Sequence, residues 1–296
     1  MKRLISILLS LAMLIALAAP AVAQEDRLPE KGETVYGFQL KETRDFPLLG
    51  AVFLYFEHVK TGAELLYIAN SDTNRVFDLT FFTTAEDNTG LPHVFEHAAL
   101  MGSEKYPDSG LFFHLLYQTY NTYLNAQTGP DYTTYPAASL SEAQLLAYAD
   151  YYTDSCLHPR LLEDESIFRQ EAWRYRLESE DGPLTIEGTV YSEMQAAANL
   201  YQMSYYNMMR TAFPGAACGN ISGGDPTFIP DMTWEALKEY HTRYYHPSNC
   251  LVCLYGKFED YTVFLKLLDG YFSAYDRQEK RLTAETWTPF EGVREA

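Results

Sequence analysis

Cationic side chains, cysteine and tryptophan are all scarce in this 296-residue chain. It carries 22 Lys and Arg against 40 Asp and Glu, a formal net charge of −18, with only 4 Cys and 3 Trp. A chain this acidic has no basic face with which to hold nucleic acid, so that class of partner is excluded. Four cysteines in so long a chain do not make a disulfide scaffold. Two of them, Cys250 and Cys253, have the spacing of a redox or zinc pair, but they stand in the apolar run Asn249-Cys-Leu-Val-Cys-Leu-Tyr-Gly256. That run reads as a buried strand, on which residues three apart face opposite ways, so they are expected to be core thiols. Internal repeats and low-complexity tracts are also lacking, and past the N-terminus no apolar run is long enough to span a bilayer.

The N-terminus differs from the rest. Lys2 and Arg3 precede an apolar run from Leu4 to about Leu17, and Pro20 and Ala21-Val22-Ala23 follow. This is the pattern of a secretory signal peptide (residues 1–23) with cleavage before Gln24. The run is short for a membrane anchor, and no Cys lies near the cleavage site to take a lipid. The expectation is a secreted or extracytoplasmic protein. Hydrophobic residues make up 47% and charged residues 21%, enough apolar material for a large core.

The order of elements suggests α+β layering. A first strand is expected at 34–41, a hairpin at 50–57 and 63–70, and a further strand at 76–84. Pro92 opens a helix ending near Gly102, and a second helix spans 110–120. Paired strands are expected at 123–128 and 132–138. Ser139 and Glu142 have capping-box spacing for a helix to Cys156. Further helices are expected at 164–177, 188–203, 233–244 and 261–271, with the strand at 249–256 returning among them. The fold class is therefore α+β, a mixed or antiparallel sheet with helices packed on one face.

The chemistry concentrates in Gly90-Leu-Pro-His-Val-Phe-Glu-His-Ala98. His93 and His97 are four apart, so on a helix they stack one turn above the other and can reach one metal ion. Glu96 shares their face and can hydrogen-bond a water at that metal. This is His-x-x-Glu-His, the inverted counterpart of the zincin motif. A catalytic zinc site needs a third protein ligand. Glu193, on the helix expected at 188–203, is the choice and Glu187 the rival; six residues apart on a helix, the two face different ways. His114, His158, His241 and His246 lack comparable spacing and read as structural.

The run Thr89-Gly-Leu-Pro-His-Val-Phe-Glu-His, with Met101-Gly-Ser-Glu-Lys-Tyr-Pro107, resembles the active-site region of the pitrilysin/insulinase metallopeptidases, closest to the presequence-protease and falcilysin branch. In order follow Tyr123-Leu-Asn-Ala126, Asp131-Tyr-Thr-Thr-Tyr-Pro136, Phe168-Arg-Gln-Glu-Ala-Trp173, Gly188-Thr-Val-Tyr-Ser-Glu-Met194, Ser222-Gly-Gly-Asp-Pro226 and Tyr244-Tyr-His-Pro-Ser-Asn249. The resemblance implies a LuxS/mitochondrial processing peptidase-like metallohydrolase domain over 34–275. It implies that His93, His97 and Glu193 bind one Zn²⁺, that Glu96 is the general base, and that Asn125 and Ala126 belong to an edge strand holding an extended peptide substrate. Members of that branch are much longer, with two halves that close around the peptide. The polar tail, 276–296, is accordingly expected to lead towards a second half that is absent, encoded as a separate polypeptide, or lost by truncation. Ile186 stands where some branches carry an acidic residue behind a metal ligand.

Overall fold

Period-two alternation of apolar and polar residues builds most of the sheet, and a computed structural model shows how the strands assemble. The structure describes residues 28–279 and Gly292. The expected signal segment, 1–23, and all of the tail but 276–279 and Gly292 lie outside them.

β1 (Thr34–Val35) and β2 (Phe38–Phe46) lead into β3 (Ala51–His58), β4 (Glu64–Ala69) and β5 (Arg75–Phe81). Then come α1 (Leu91–Ala99), α2 (Leu111–Gln118), β6 (Asn121–Leu124), β7 (Gln127–Thr128) and β8 (Thr133–Ser139). The remainder is α3 (Glu142–Leu157), α4 (Glu165–Glu171), β9 (Arg174–Leu177), β10 (Leu184–Glu187), α5 (Thr189–Ala197), α6 (Leu200–Ala212), α7 (Trp234–Tyr244), β11 (Cys250–Gly256) and α8 (Thr262–Phe272).

The main sheet runs β1-β2-β3-β4-β11-β5-β8-β6, with β7 also on β8. Every neighbouring pair is antiparallel except β11 with β4, so the sheet is mixed. β11, near the end of the described chain, enters between two strands made early. One face carries the core: Phe56, Leu65, Leu79 and Leu254 are buried against Phe95 of α1 and Leu268 of α8. Each such apolar side chain stabilises the fold by roughly 1.5–3 kcal/mol. α1 is held almost entirely within this layer, with seven of its nine residues buried.

Several boundaries differ from the sequence reading, each for a local reason. The strand expected at 34–41 is broken by a turn at Tyr36 and Gly37 into β1 and β2, which pair antiparallel, and β2 runs on to Phe46 because it pairs along the whole of β3. The cap of α3 is Ser141, whose hydroxyl accepts from Gln144 N at 3.3 Å. Ser139 instead ends β8 and is buried, and the Glu142 carboxylate accepts from the backbone N–H groups of Glu259 and Asp260. The helix expected at 164–177 stops at Glu171, and the remainder pairs as β9 with β10. The helix expected at 188–203 breaks at Ala198, because the Asn199 side chain accepts from Gln202 N at 3.0 Å and caps a new helix. α6 then runs from that start to Ala212, nine residues past the expected end at 203, without one buried residue.

The four cysteines are unbridged. Cys250 is buried and Cys253 half-buried on alternate faces of β11, and burial pushes the Cys253 thiol up to about 12. Cys250 is a core thiol, as expected, whereas Cys253 lies outside the buried core. Among the described residues, no helix is long and apolar enough to cross a membrane.

Candidate metal centre

α1 sets the geometry. Gly90 precedes it at φ +80°, and a Cβ there would meet Gly224 Cα at 2.7 Å, so the chain can enter the helix only with glycine at this crossing. Pro92 occupies the first turn, where no backbone donor is required. The rings of His93 and His97 then lie 4.8 Å apart, nearly perpendicular. Glu193 reaches them from α5: its Oε2 is 3.8 Å from His93 Nε2 and 3.6 Å from His97 Nε2. Tetrahedral ligands at zinc–ligand distances of 2.0–2.1 Å are separated by about 3.4 Å, so the spacing fits one small divalent ion. Among the described residues this is the one cluster of three or more His, Cys, Asp or Glu side chains that could hold a metal.

The other ring nitrogens decide the tautomers. His93 Nδ1 lies 3.0 Å from the Gly223 carbonyl, which can only accept, so Nδ1 carries the proton and Nε2 is left for a ligand bond. His97 Nδ1 lies 3.4 Å from Glu171 Oε2, a carboxylate only 2% exposed, with the same consequence. Such partners orient ligating imidazoles and raise their basicity.

The titration behaviour of the two rings diverges accordingly. Burial and the neighbouring His97 lower the pKa of His93, against the Gly223 hydrogen bond. Burial also works to lower that of His97, but the bond to Glu171 and the nearby carboxylates outweigh it and raise the value. Burial works to raise Glu171, yet its bonds from His97 and Gln170 hold it below the usual carboxylate range.

The structure thus brings His93, His97 and Glu193 together. Glu187 is excluded as the rival: it lies on β10, where its carboxylate is bound by Arg174 at 2.8 Å and by Arg176. Ile186, noted for lacking an acid, pairs with Tyr175 in the same hairpin. Glu96 is 8% exposed, and Thr128 Oγ1 donates to its Oε2 at 2.5 Å. Asn125 and Ala126 fall between β6 and β7, at the end of the sheet order. Asn125 is exposed; its N–H donates to Pro136 O and its carbonyl accepts from Tyr152 Oη. Ala126 is buried.

Three contributors carried no assigned role in the sequence reading. Glu171 lies inside Phe168-Arg-Gln-Glu-Ala-Trp173, and an acid one turn after the apolar Ile167-Phe168 pair was the available signal. The Gly223 carbonyl is presented by a loop clamped to Asn88, whose Oδ1 accepts from Ile221 N and whose carbonyl accepts from Asp225 N. The Gly-Gly doublet was the available signal there. Thr128 had none, because it reads only as the last residue of the strand expected at 123–128.

Two adjacent imidazoles, one carboxylate within reach of both and a further glutamate on the helix of the histidines have the make-up of a metallohydrolase-type centre on an α+β fold. Comparison with known proteins places the chain more closely. Residues 82–206 match the family described as Insulinase (Peptidase family M16), and residues 231–295 match the Peptidase M16 inactive domain. The chain belongs to peptidase family M16 and, within it, is similar to the presequence proteases. It is 40% identical over 249 residues to the mitochondrial presequence protease of Gibberella zeae, covering 81% of this chain and 24% of that protein. It is 36% identical over 267 residues to Protein HypA of Clostridium perfringens, covering 90% of this chain and 27% of that protein. The fold is also that of crystalline pitrilysin, with a TM-score of 0.66 at 21% identity over 86% of this chain and 26% of pitrilysin. The chain therefore spans about a quarter of the length of these relatives. The segment matching the inactive domain is not set apart in the fold, since its β11 lies inside the main sheet between β4 and β5.

Proposed function

We propose that this chain is the zinc-binding domain of a metalloendopeptidase that hydrolyses unfolded peptides. The observation that carries this is the convergence of His93, His97 and Glu193, whose ligand atoms all lie within 4.8 Å of one another, beside Glu96. When bound there, Zn²⁺ supplies a Lewis acid that polarises a carbonyl and lowers the pKa of water from 15.7 to about 7. Gly223 and Glu171 hold the two imidazoles in the tautomer that ligation needs. Glu96 takes the proton from the attacking water and returns it to the leaving amine. The sheet edge at Asn125 and Ala126 binds the substrate main chain as an added strand, which makes little demand on side-chain sequence.

The test is zinc content of the purified chain, with hydrolysis of a quenched peptide, a chelator control and Glu96→Gln. One bound zinc, and hydrolysis abolished by Glu96→Gln, is the expected result. Undiminished hydrolysis in Glu96→Gln overturns the mechanism.

A second reading follows from the chain spanning a quarter of its relatives' length. In it the domain binds zinc but cleaves only when a second-half polypeptide closes the site. Brisk cleavage by the isolated monomer contradicts it. Export is a further part of the proposal, resting on the basic start, short apolar run and Ala-x-Ala site of residues 1–23. The intact mass of the mature protein tests it, with Gln24 expected at the N-terminus.

A further inference from the structure

We propose that Thr128 is a positioning residue for Glu96, fixing the general base from the edge of the sheet; this rests on the reading of Glu96 as that base. Thr128 Oγ1 donates to Glu96 Oε2 at 2.5 Å, a charge-assisted contact. Among the described residues no hydrogen bond reaches Oε1 of the same carboxylate, and the threonine hydroxyl is the side chain's one hydrogen-bond partner. A glutamate has three rotatable bonds, and α1 fixes only where its Cβ starts. One oxygen anchored and the other free is the arrangement a proton acceptor needs.

The anchor is itself held. Thr128 is β-branched and stiff at χ1. β7 pairs with β8 at Gln127↔Thr134 and Thr128↔Thr133, and Gly129 N donates to Tyr132 O at 2.8 Å to close the following turn. Thr133 Oγ1 and Thr83 Oγ1 are 2.9 Å apart, tying β8 to the segment that follows β5. The hydroxyl therefore projects from a braced strand rather than from a loose loop. That strand directly continues Asn125 and Ala126, so the segment assigned to the substrate main chain also holds the base. Binding site and proton acceptor are thus kept in register by a single hydrogen bond.

The experiment compares the zinc-loaded chain with Thr128→Val, which keeps the shape and removes the hydroxyl, and with Thr128→Ser, which keeps the hydroxyl. Thr128→Ala replaces the valine variant if that one does not fold. Crystal structures read the Glu96 carboxylate directly. The wild type and Thr128→Ser should keep Oε2 on the hydroxyl, and Thr128→Val should show Glu96 turned away with zinc content unchanged. In peptide hydrolysis, losing a hydrogen bond to a charged group should lower kcat by about ten- to a hundredfold, with KM essentially constant. Thr128→Ser should recover most of that loss. Glu96 unmoved in Thr128→Val overturns the proposal, as does an unchanged kcat. Equal impairment of the Val and Ser variants, with zinc lost, also overturns it, because the role is then structural. If the wild type cleaves nothing, or Glu96→Gln cleaves normally, it is the peptidase reading that fails, and the crystal structures still decide whether Thr128 sets the Glu96 rotamer.

Discussion

The candidate metal ligands come from two regions with opposite surroundings. α1 brings His93 and His97 out of a layer in which most of its residues are buried, and each ring is held at its second nitrogen. α5 brings Glu193, whose side chain is 52% exposed, and leads into α6, where Leu200 and Tyr201 are 85% and 80% exposed. The first region is determined by the core it packs into. The second has few contacts to determine it, so the third ligand is the least supported part of the site.

The largest expected effect that sharpens this contrast is on metal binding itself. His97→Ala and Glu193→Ala should each abolish stoichiometric zinc, measured by metal analysis after dialysis, because three protein ligands are the minimum for such a site. Retained zinc in Glu193→Ala would show that the exposed region contributes nothing. Next in size is the core: Phe95→Ala should cost about 3–5 kcal/mol in urea denaturation, as a fully buried aromatic is removed. Glu171→Gln should then weaken zinc about 10–100-fold in competition with a chelator while leaving the fold intact. Smaller still, Tyr201→Ser on α6 should change stability by no more than about 0.5 kcal/mol. A larger loss would mean that α6 is packed in solution and that the contrast is false.

The last effect is one of pH and concerns the end of α3, where His158 Nδ1 lies 3.0 Å from Asp154 and its Nε2 3.1 Å from Tyr275 Oη. The bond that His158 donates to Asp154, aided by the charges of Asp154 and Glu104, raises the pKa of His158 in spite of burial. Burial works to raise that of Asp154, but bonds from His158, Ser103 and the Lys105 N–H lower it. The histidine's contribution is full below its unfolded value of 6.5 and is lost as pH rises through its higher folded value. The aspartate's contribution is present above 3.8 and is lost as pH falls through its lower folded value. Asp154→Asn should therefore lower Tm more near pH 5.5 than near pH 8.5. Equal losses at the two pH values would rule out a charged pair.

Strand and helix positions were largely legible where a single local rule acted. The hairpin of β3 and β4, the strand β11 and the helices α7 and α8 follow from periodicity and capping residues close in sequence. Errors arose where two local rules competed. Residues 164–177 have helical spacing, yet Arg174 and Arg176 pair across a hairpin with Glu187 and draw the second half into strands. Asn199 could sit inside a helix or begin one, and its side chain bonding forward to Gln202 decides for a new start.

The sequence by itself determined that His93, Glu96 and His97 share one helix face, because that spacing depends only on the 3.6-residue turn of a chain that also supplies Pro92 and Gly90 at the helix start. Only the tertiary structure decided what each of them meets. Glu193 rather than Glu187 reaches the histidines because a hairpin takes Glu187 away. Gly223, Glu171 and Thr128 each arrive from a different part of the chain. Such contacts depend on how distant segments cross, which is set by burying one shared core and not by any spacing along the chain.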